Sequence, residues 1–338
     1  MNKSLTLCLT LFIGFALKSQ AQEPLKLVVT TPVPGYSGDF DHFAADLKGN
    51  RLFVAAEDQR TVEVFDLQTG KRIHSIAGFM HPHTMAFLPD SGNLIVTDGD
   101  DVGRAALVDL KTYRIIGAVS LPPGVDHGVL DPSGRYYYVQ SSSPEGANAH
   151  VISIVDTEDR KVVGEISGIP GPDNEGMIFD RAGKKLYINL TGTDEIGIVD
   201  VHSKRLVAHW PLPGVHTAHG IDLDEPDHRL FTASRKPARF IVFNTDTGKV
   251  VAELPCVGVN SNLWFDAAHK RIYVTGDGTI SVFKQSDADH YQHIAEIPSA
   301  YRAKTSIFVP ELNRLYVADS SKGRVGTKMA LQIFAVQP

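Results

Sequence analysis

Arg271-Ile272-Tyr273-Val274-Thr275 recurs, with variations, at six other places in this chain of 338 residues. The copies read Arg51-Leu52-Phe53-Val54, Asn93-Leu94-Ile95-Val96, Tyr136-Tyr137-Tyr138-Val139, Lys185-Leu186-Tyr187-Ile188, Arg229-Leu230-Phe231-Thr232 and Arg314-Leu315-Tyr316-Val317. In chain order the seven starts lie 42, 43, 49, 44, 42 and 43 residues apart. A period of about 40–45 residues made of short strands is that of a β-propeller blade. The sequence therefore predicts an all-β chain folded as a seven-bladed β-propeller.

Outward from each motif the same grammar returns. In blade 4, residues 175–179 read as the inner strand, Asp180-Arg181-Ala182-Gly183-Lys184 as a turn, and 185–189, 195–201 and 205–210 as the next three strands. Blades 1 and 5 repeat it, with Gln68-Thr69-Gly70-Lys71 and Thr247-Gly248-Lys249 turning the chain into the outer strand. Short alternating strands split by Asp, Asn and Gly turns are the all-β signal. The seventh copy ends after its third strand, 330–336, and the missing outer strand is found at the other end. Leu25-Lys26-Leu27-Val28-Val29 runs into Pro32-Val33-Pro34-Gly35, as Trp210 runs into Pro211-Leu212-Pro213-Gly214. Residues 25–35 are thus expected to close the ring. The expected layout is one propeller over 22–338, with blades at about 41–78, 79–124, 125–171, 172–214, 215–258, 259–299 and 300–338.

This pattern resembles the YVTN-repeat propellers, the YncE-like family of exported seven-bladed proteins. Arg271-Ile272-Tyr273-Val274-Thr275 and Asp66-Leu67-Gln68-Thr69-Gly70-Lys71 carry the resemblance, which covers nearly the whole chain after residue 21. A looser similarity extends to propeller lactonases and to propeller lyases that hold a divalent metal in the funnel. The resemblance implies the fold directly. For function it implies either lactone hydrolysis or β-elimination, or a non-catalytic binding role, because propellers host many unrelated activities.

Residues 1–21 read as a cleaved secretory leader: Lys3 opens it, 5–17 is apolar, and Ser19-Gln20-Ala21 offers small residues for cleavage. A periplasmic or secreted protein is expected. The apolar run is short for a membrane span, and no other stretch is long and apolar enough. Loss of Lys3 and Lys18 takes the formal charge from −6 to −8, which does not favour nucleic acid or anionic lipid as a partner. Only Cys256 remains after the leader, so no internal disulfide can form. A Gly-rich phosphate loop, a Gly-x-Ser-x-Gly elbow and a CxxCH motif are all absent from the sequence. Nucleotide cofactors and covalent haem are therefore not expected. Asn189-Leu190-Thr191 matches the N-glycosylation pattern, a match that arises often by chance.

A propeller brings one equivalent position of each blade to a central funnel. Down the repeats that position reads His42, His83, His127, Glu175, His219, Asn262 and Thr305. Four imidazoles and the Glu175 carboxylate could hold a divalent ion, and such N/O ligands point to Zn, Mn, Fe, Ni or Cu. Asp41, Asp126 and Asp173 could orient the imidazoles, and His81 and His216 lie in the same loops. His127 and Glu175 are the candidate acid–base residues. Arg235, Arg302 and Lys304 are placed near the funnel face and, with Asn262, are candidates for binding a small anionic or carbohydrate-like ligand; Arg235 and Arg302 read equally as solvated surface, and Lys236 reads rather as surface than as ligand-binding. The bland alternative stands beside this one: a His at such a loop position can be a structural part of its blade, and a water-filled funnel needs polar side chains in any case. Residues 141–148 lengthen blade 3 and read first as a plain tolerated insertion, with a loop overhanging the funnel as the alternative.

Overall fold

The computed structural model describes residues 22–141, 149–171, 174–322 and 329–338. The expected leader, most of the blade 3 insertion and Asp173 lie outside these residues. Seven four-stranded antiparallel sheets make up the molecule, each running in order from the axis outward except at the seam. Helical structure among the described residues is limited to two short 3-10 turns, Glu57–Gln59 and Pro310–Leu312.

The repeat motif explains itself once the blades are stacked. In blade 1 the second strand, Arg51–Ala56, sends Leu52, Val54 and Ala56 into the core shared with blade 7, while Phe53 and Ala55 enter the core shared with blade 2. A strand covered on both faces needs apolar residues at consecutive positions, not alternate ones. That is why Leu-Phe-Val recurs as an unbroken run. Seven apolar clusters result, one at each blade-to-blade interface. The outer strands are solvated on one side and alternate, as Arg205–Pro211 does in blade 4.

Every outer strand also carries a register shift against the third strand, for example between Ile198 and Val199 and between Phe65 and Val64. A bulge in each blade increases its twist, which suits the propeller pitch. Blade 7 is completed by the N-terminal strand Leu25–Pro32, antiparallel to Ala330–Val336, with Leu25 opposite Val336 and Pro32 opposite Ala330. Leu25 is fully buried in the core between blades 6 and 7. The ring is closed as the sequence implied.

Candidate functional site

The inner strands of blades 2, 3 and 5 break register at the places where an imidazole is needed. The shifts fall between Pro82 and Met85, between Val125 and Gly128, and between Ala218 and Gly220. His83, His127 and His219 occupy those three irregularities, and a bulge of this kind re-aims a side chain. Glu175 lies just before the short inner strand Met177–Phe179 of blade 4. Its neighbour Gly176 has no room for a side chain: a Cβ there would stand 2.5 Å from the His219 carbonyl oxygen. Close backbone approach lets blades 4 and 5 present Glu175 and His219 to each other.

Glu175 is the centre of the group. Its Oε2 is 3.0 Å from His127 Nε2, and its Oε1 is 3.0 Å from His219 Nδ1, the latter an ion pair without hydrogen-bond alignment. His42 packs edge-on to His127 with ring centres 4.5 Å apart, and its Nε2 is 3.3 Å from Asp41 Oδ1. His83 Nδ1 is 3.1 Å from Asp41 Oδ2 and 3.9 Å from Asp126 Oδ1. Two sets, Asp41–His83–Asp126 and Asp126–His127–Glu175, therefore hold candidate metal-ligand atoms within 4.8 Å of one another, and a third, Glu57–His81–His83, lies at the rim. Carboxylates mixed with imidazoles are the donor chemistry of a divalent transition ion, so the residues present fit one.

Burial and neighbours drive these groups apart. Burial works against the charge on Glu175, but His219 and His127 outweigh it and hold the carboxyl well below the usual range. Burial likewise opposes the imidazolium of His127, yet the bond to Glu175 and the charge of Asp126 push it up to about 9. His83 reaches about 9 in the same way, through Asp41 and Asp126. In His42 burial wins over Asp41 and the group falls to about 4. His219 is also lowered by burial, against the pull of Glu175.

The upper cavity, of about 240 Å³, is divided by charge around the ring. Blades 1 to 4 line it with Asp41, Glu57, His83, Asp126 and Glu175, while blades 5 and 7 and the loop between 6 and 7 contribute Arg235, Arg302, Lys304 and Lys322. Arg235 is fixed in place, its Nε donating to Asn260 O at 2.6 Å and its Nη2 to Ser261 Oγ at 2.7 Å. Arg302 and Lys304 approach Asp39 Oδ2 at 3.2 and 3.5 Å across the seam. Below, a second cavity of about 260 Å³ is lined by His42, His127, His219 and Asn262 together with apolar side chains including Met85, Met177 and Trp264. His42 and Ser261 border both cavities.

The remaining ring positions serve the frame. Asn262 Oδ1 accepts the Ser306 backbone N–H at 2.8 Å, and buried Thr305 Oγ1 lies 3.3 Å from Phe40 O. His216 pairs with Asp194 at an exposed place, and Lys236 is exposed. Burial pushes the Cys256 thiol up to about 12, which keeps it a poor ligand. Asp39, Glu57, Asp100 and Lys322 are additions that the repeat register did not single out. Glu57, Asp100 and Lys322 follow the second strand of their blades, the place that pointed to Arg235 in blade 5, so the same reading applied to blades 1, 2 and 7 finds them.

No protein-family model matches the chain, and a search of curated proteins returns no similar sequence. Solved structures match in number, 1546 chains in all, so the shape itself is common. One is a chain of Kuenenia stuttgartiensis hydrazine synthase, with TM-score 0.69 and 17% identity over 85% of this chain and 96% of that one. Another is a chain of a mitotic checkpoint complex, with TM-score 0.74 and 17% identity over 100% of both. At that identity the likeness is one of fold alone. Fold and site together define a seven-bladed β-propeller whose axial cavity carries His, Asp and Glu groups able to hold a metal ion.

Proposed function

We propose that this is an exported, metal-dependent propeller enzyme of the lactone hydrolase or lyase type, acting on a small anionic or carbohydrate-like substrate. The observation that carries it is the charge division of the upper cavity, with imidazoles and carboxylates on blades 1 to 4 and cations on blades 5 and 7. Asp126, His127 and Glu175, whose candidate ligand atoms lie within 4.8 Å of one another, would hold the ion, with His219 and His42 packed beside them; when bound it supplies a Lewis acid and a water of lowered pKa. Arg235, pre-set by Asn260 and Ser261, would receive a substrate carboxylate or phosphate as a planar fork. Arg302 and Lys304, which share Asp39 as their partner, would add positive charge beside it. Where the ion is held by the other imidazoles instead, Glu175 and His127, 3.0 Å apart, would serve as the acid–base pair for an oxygen of the substrate.

Elemental analysis of the purified protein, native and with His127 and His219 both changed to Ala, is the test. Near-stoichiometric metal in the native protein, lost in the variant with its fold intact, supports the reading; lactones and uronates are then screened with that metal. Absence of metal from both, after attempted reconstitution, refutes it.

A second reading, a non-catalytic binding propeller of the YncE-like type, draws on another observation. Each ring imidazole already faces a carboxylate, His42 and His83 on Asp41 and His127 and His219 on Glu175, so the ring can serve as a structural brace. Under that reading, a partner recovered by pull-down stays bound when the ring imidazoles are replaced.

A further inference from the structure

At the rim of the funnel two imidazoles of blade 2 face each other. His81 Nδ1 and His83 Nε2 are 3.2 Å apart. Asp100 Oδ1 stands 3.1 Å from the first and 3.8 Å from the second. Two ring nitrogens and one carboxylate oxygen thus outline a triangle with sides of 3.2, 3.1 and 3.8 Å. Ligands held tetrahedrally at about 2.0–2.2 Å from a zinc-class ion are separated by about 3.3–3.6 Å, from tetrahedral geometry and those bond lengths. The triangle has the dimensions of one face of such a tetrahedron.

The far side of each ring strengthens the case. His81 Nε2 is 3.3 Å from Glu57 Oε1, and His83 Nδ1 is 3.1 Å from Asp41 Oδ2. A carboxylate on the outer nitrogen fixes the tautomer and turns the other lone pair inward, the arrangement that supports metal-bound histidine. The loop is also held before any ligand arrives. Fully buried Asp98, paired with Arg104, accepts the backbone N–H groups of Met80 and His81 through one oxygen, each at 2.7 Å. Gly99 N–H donates to His81 O at 3.0 Å, which ties the Asp100 loop to the His81 loop. Such support lowers the cost of organising a site.

We infer that His81, His83 and Asp100 form a binding site for a divalent transition ion of the zinc class at the funnel rim, separate from the His127–Glu175–His219 set. Two imidazoles and one carboxylate leave a coordination position for water or a ligand, as in catalytic sites. Glu57 and His83 line the upper cavity, so an ion held here lies at the wall of the cavity that Arg235 and Lys304 also line.

The test is a titration of metal-free protein with Co²⁺, followed by visible absorption and by competition with Zn²⁺. Wild type should show the intense band of a low-coordinate N/O site, retained in a His127→Ala/His219→Ala variant. His81→Ala should abolish it, and Asp100→Asn, at an exposed position that leaves the fold undisturbed, should weaken binding at least tenfold. Glu57→Gln should weaken it about 10-fold through the ring it orients. A band unchanged in both His81→Ala and Asp100→Asn, or no band in wild type, overturns the inference. Loss in His127→Ala/His219→Ala with full retention in His81→Ala also overturns it, while leaving the ring metal of the proposed function intact. The reverse pattern establishes the rim site and removes the ring as the holder of that ion.

Discussion

Asp319 is a carboxylic acid set into the protein with no balancing charge among the described residues. Only 5% of the residue is exposed, its Oδ1 makes no hydrogen bond among the described residues, and burial pushes the group up to about 7. A carboxyl raised in this way binds its proton more tightly in the folded chain than in the unfolded one. Its contribution to stability is therefore greatest below about pH 4 and is lost as pH rises through 7. Asp319→Asn removes the ionisation, so its melting temperature should exceed that of the parent at pH 8 and match it at pH 4; a thermal melt across that range checks this. Arg235 makes the opposite kind of residue, a charge whose geometry is already fixed by Asn260 and Ser261. Arg235→Gln should weaken binding of galacturonate or another small carboxylate roughly 10- to 100-fold by calorimetry, the scale of a charged hydrogen bond. An unchanged affinity would place the anion elsewhere.

Between strands, the position just after the repeat motif has a second use. Thr97 Oγ1 donates to Asp126 O at 2.8 Å, Gln140 Nε2 to Glu175 O at 2.9 Å, Asn189 Nδ2 to His219 O at 2.7 Å and Thr275 Oγ1 to Lys304 O at 2.9 Å. Each is a latch from one blade to the backbone of a funnel residue in the following blade. Asn189, in the apparent glycosylation triplet, is fully buried, and its side chain also reaches Gly220 O and Thr232 Oγ1. Asn189→Leu strands those groups and should cost about 2–4 kcal/mol in urea unfolding, the scale of several unpaired buried polar groups. The strands themselves were legible because burial on both faces writes a continuous apolar run into every repeat. The ring residues His42, His83, His127, Glu175 and His219 were legible because equivalent positions converge on one axis. What periodicity could not convey is local. The bulges that turn His83, His127 and His219 leave no mark in an apolar pattern, whereas Glu57 and Asp100 sit just after the second strand, a place the repeat does mark once it is read in every blade. Asn262 and Thr305 hold equivalent positions, but their polar groups are taken up by the neighbouring blades.

At the size of the whole molecule, the ring divides its charge and joins its two ends. The seam between blades 7 and 1 is bound by Arg302 and Lys304 on Asp39, by Tyr316 Oη donating to Leu67 O at 2.7 Å, and by the strand Leu25–Pro32. Leu25→Ala, at a fully buried place, should cost about 2–5 kcal/mol by denaturant melt. Removal of 22–32 should do more: it bares the edge of Ala330–Val336, and light scattering should show self-association. That same strand also fixes an order in time. Leu25 is among the earliest residues of the fold to leave the ribosome and Val336 among the last, yet they are partners. The opening segment must wait, unpaired, through the making of all the blades between, and the circle can be joined only once Ala330–Val336 has been made.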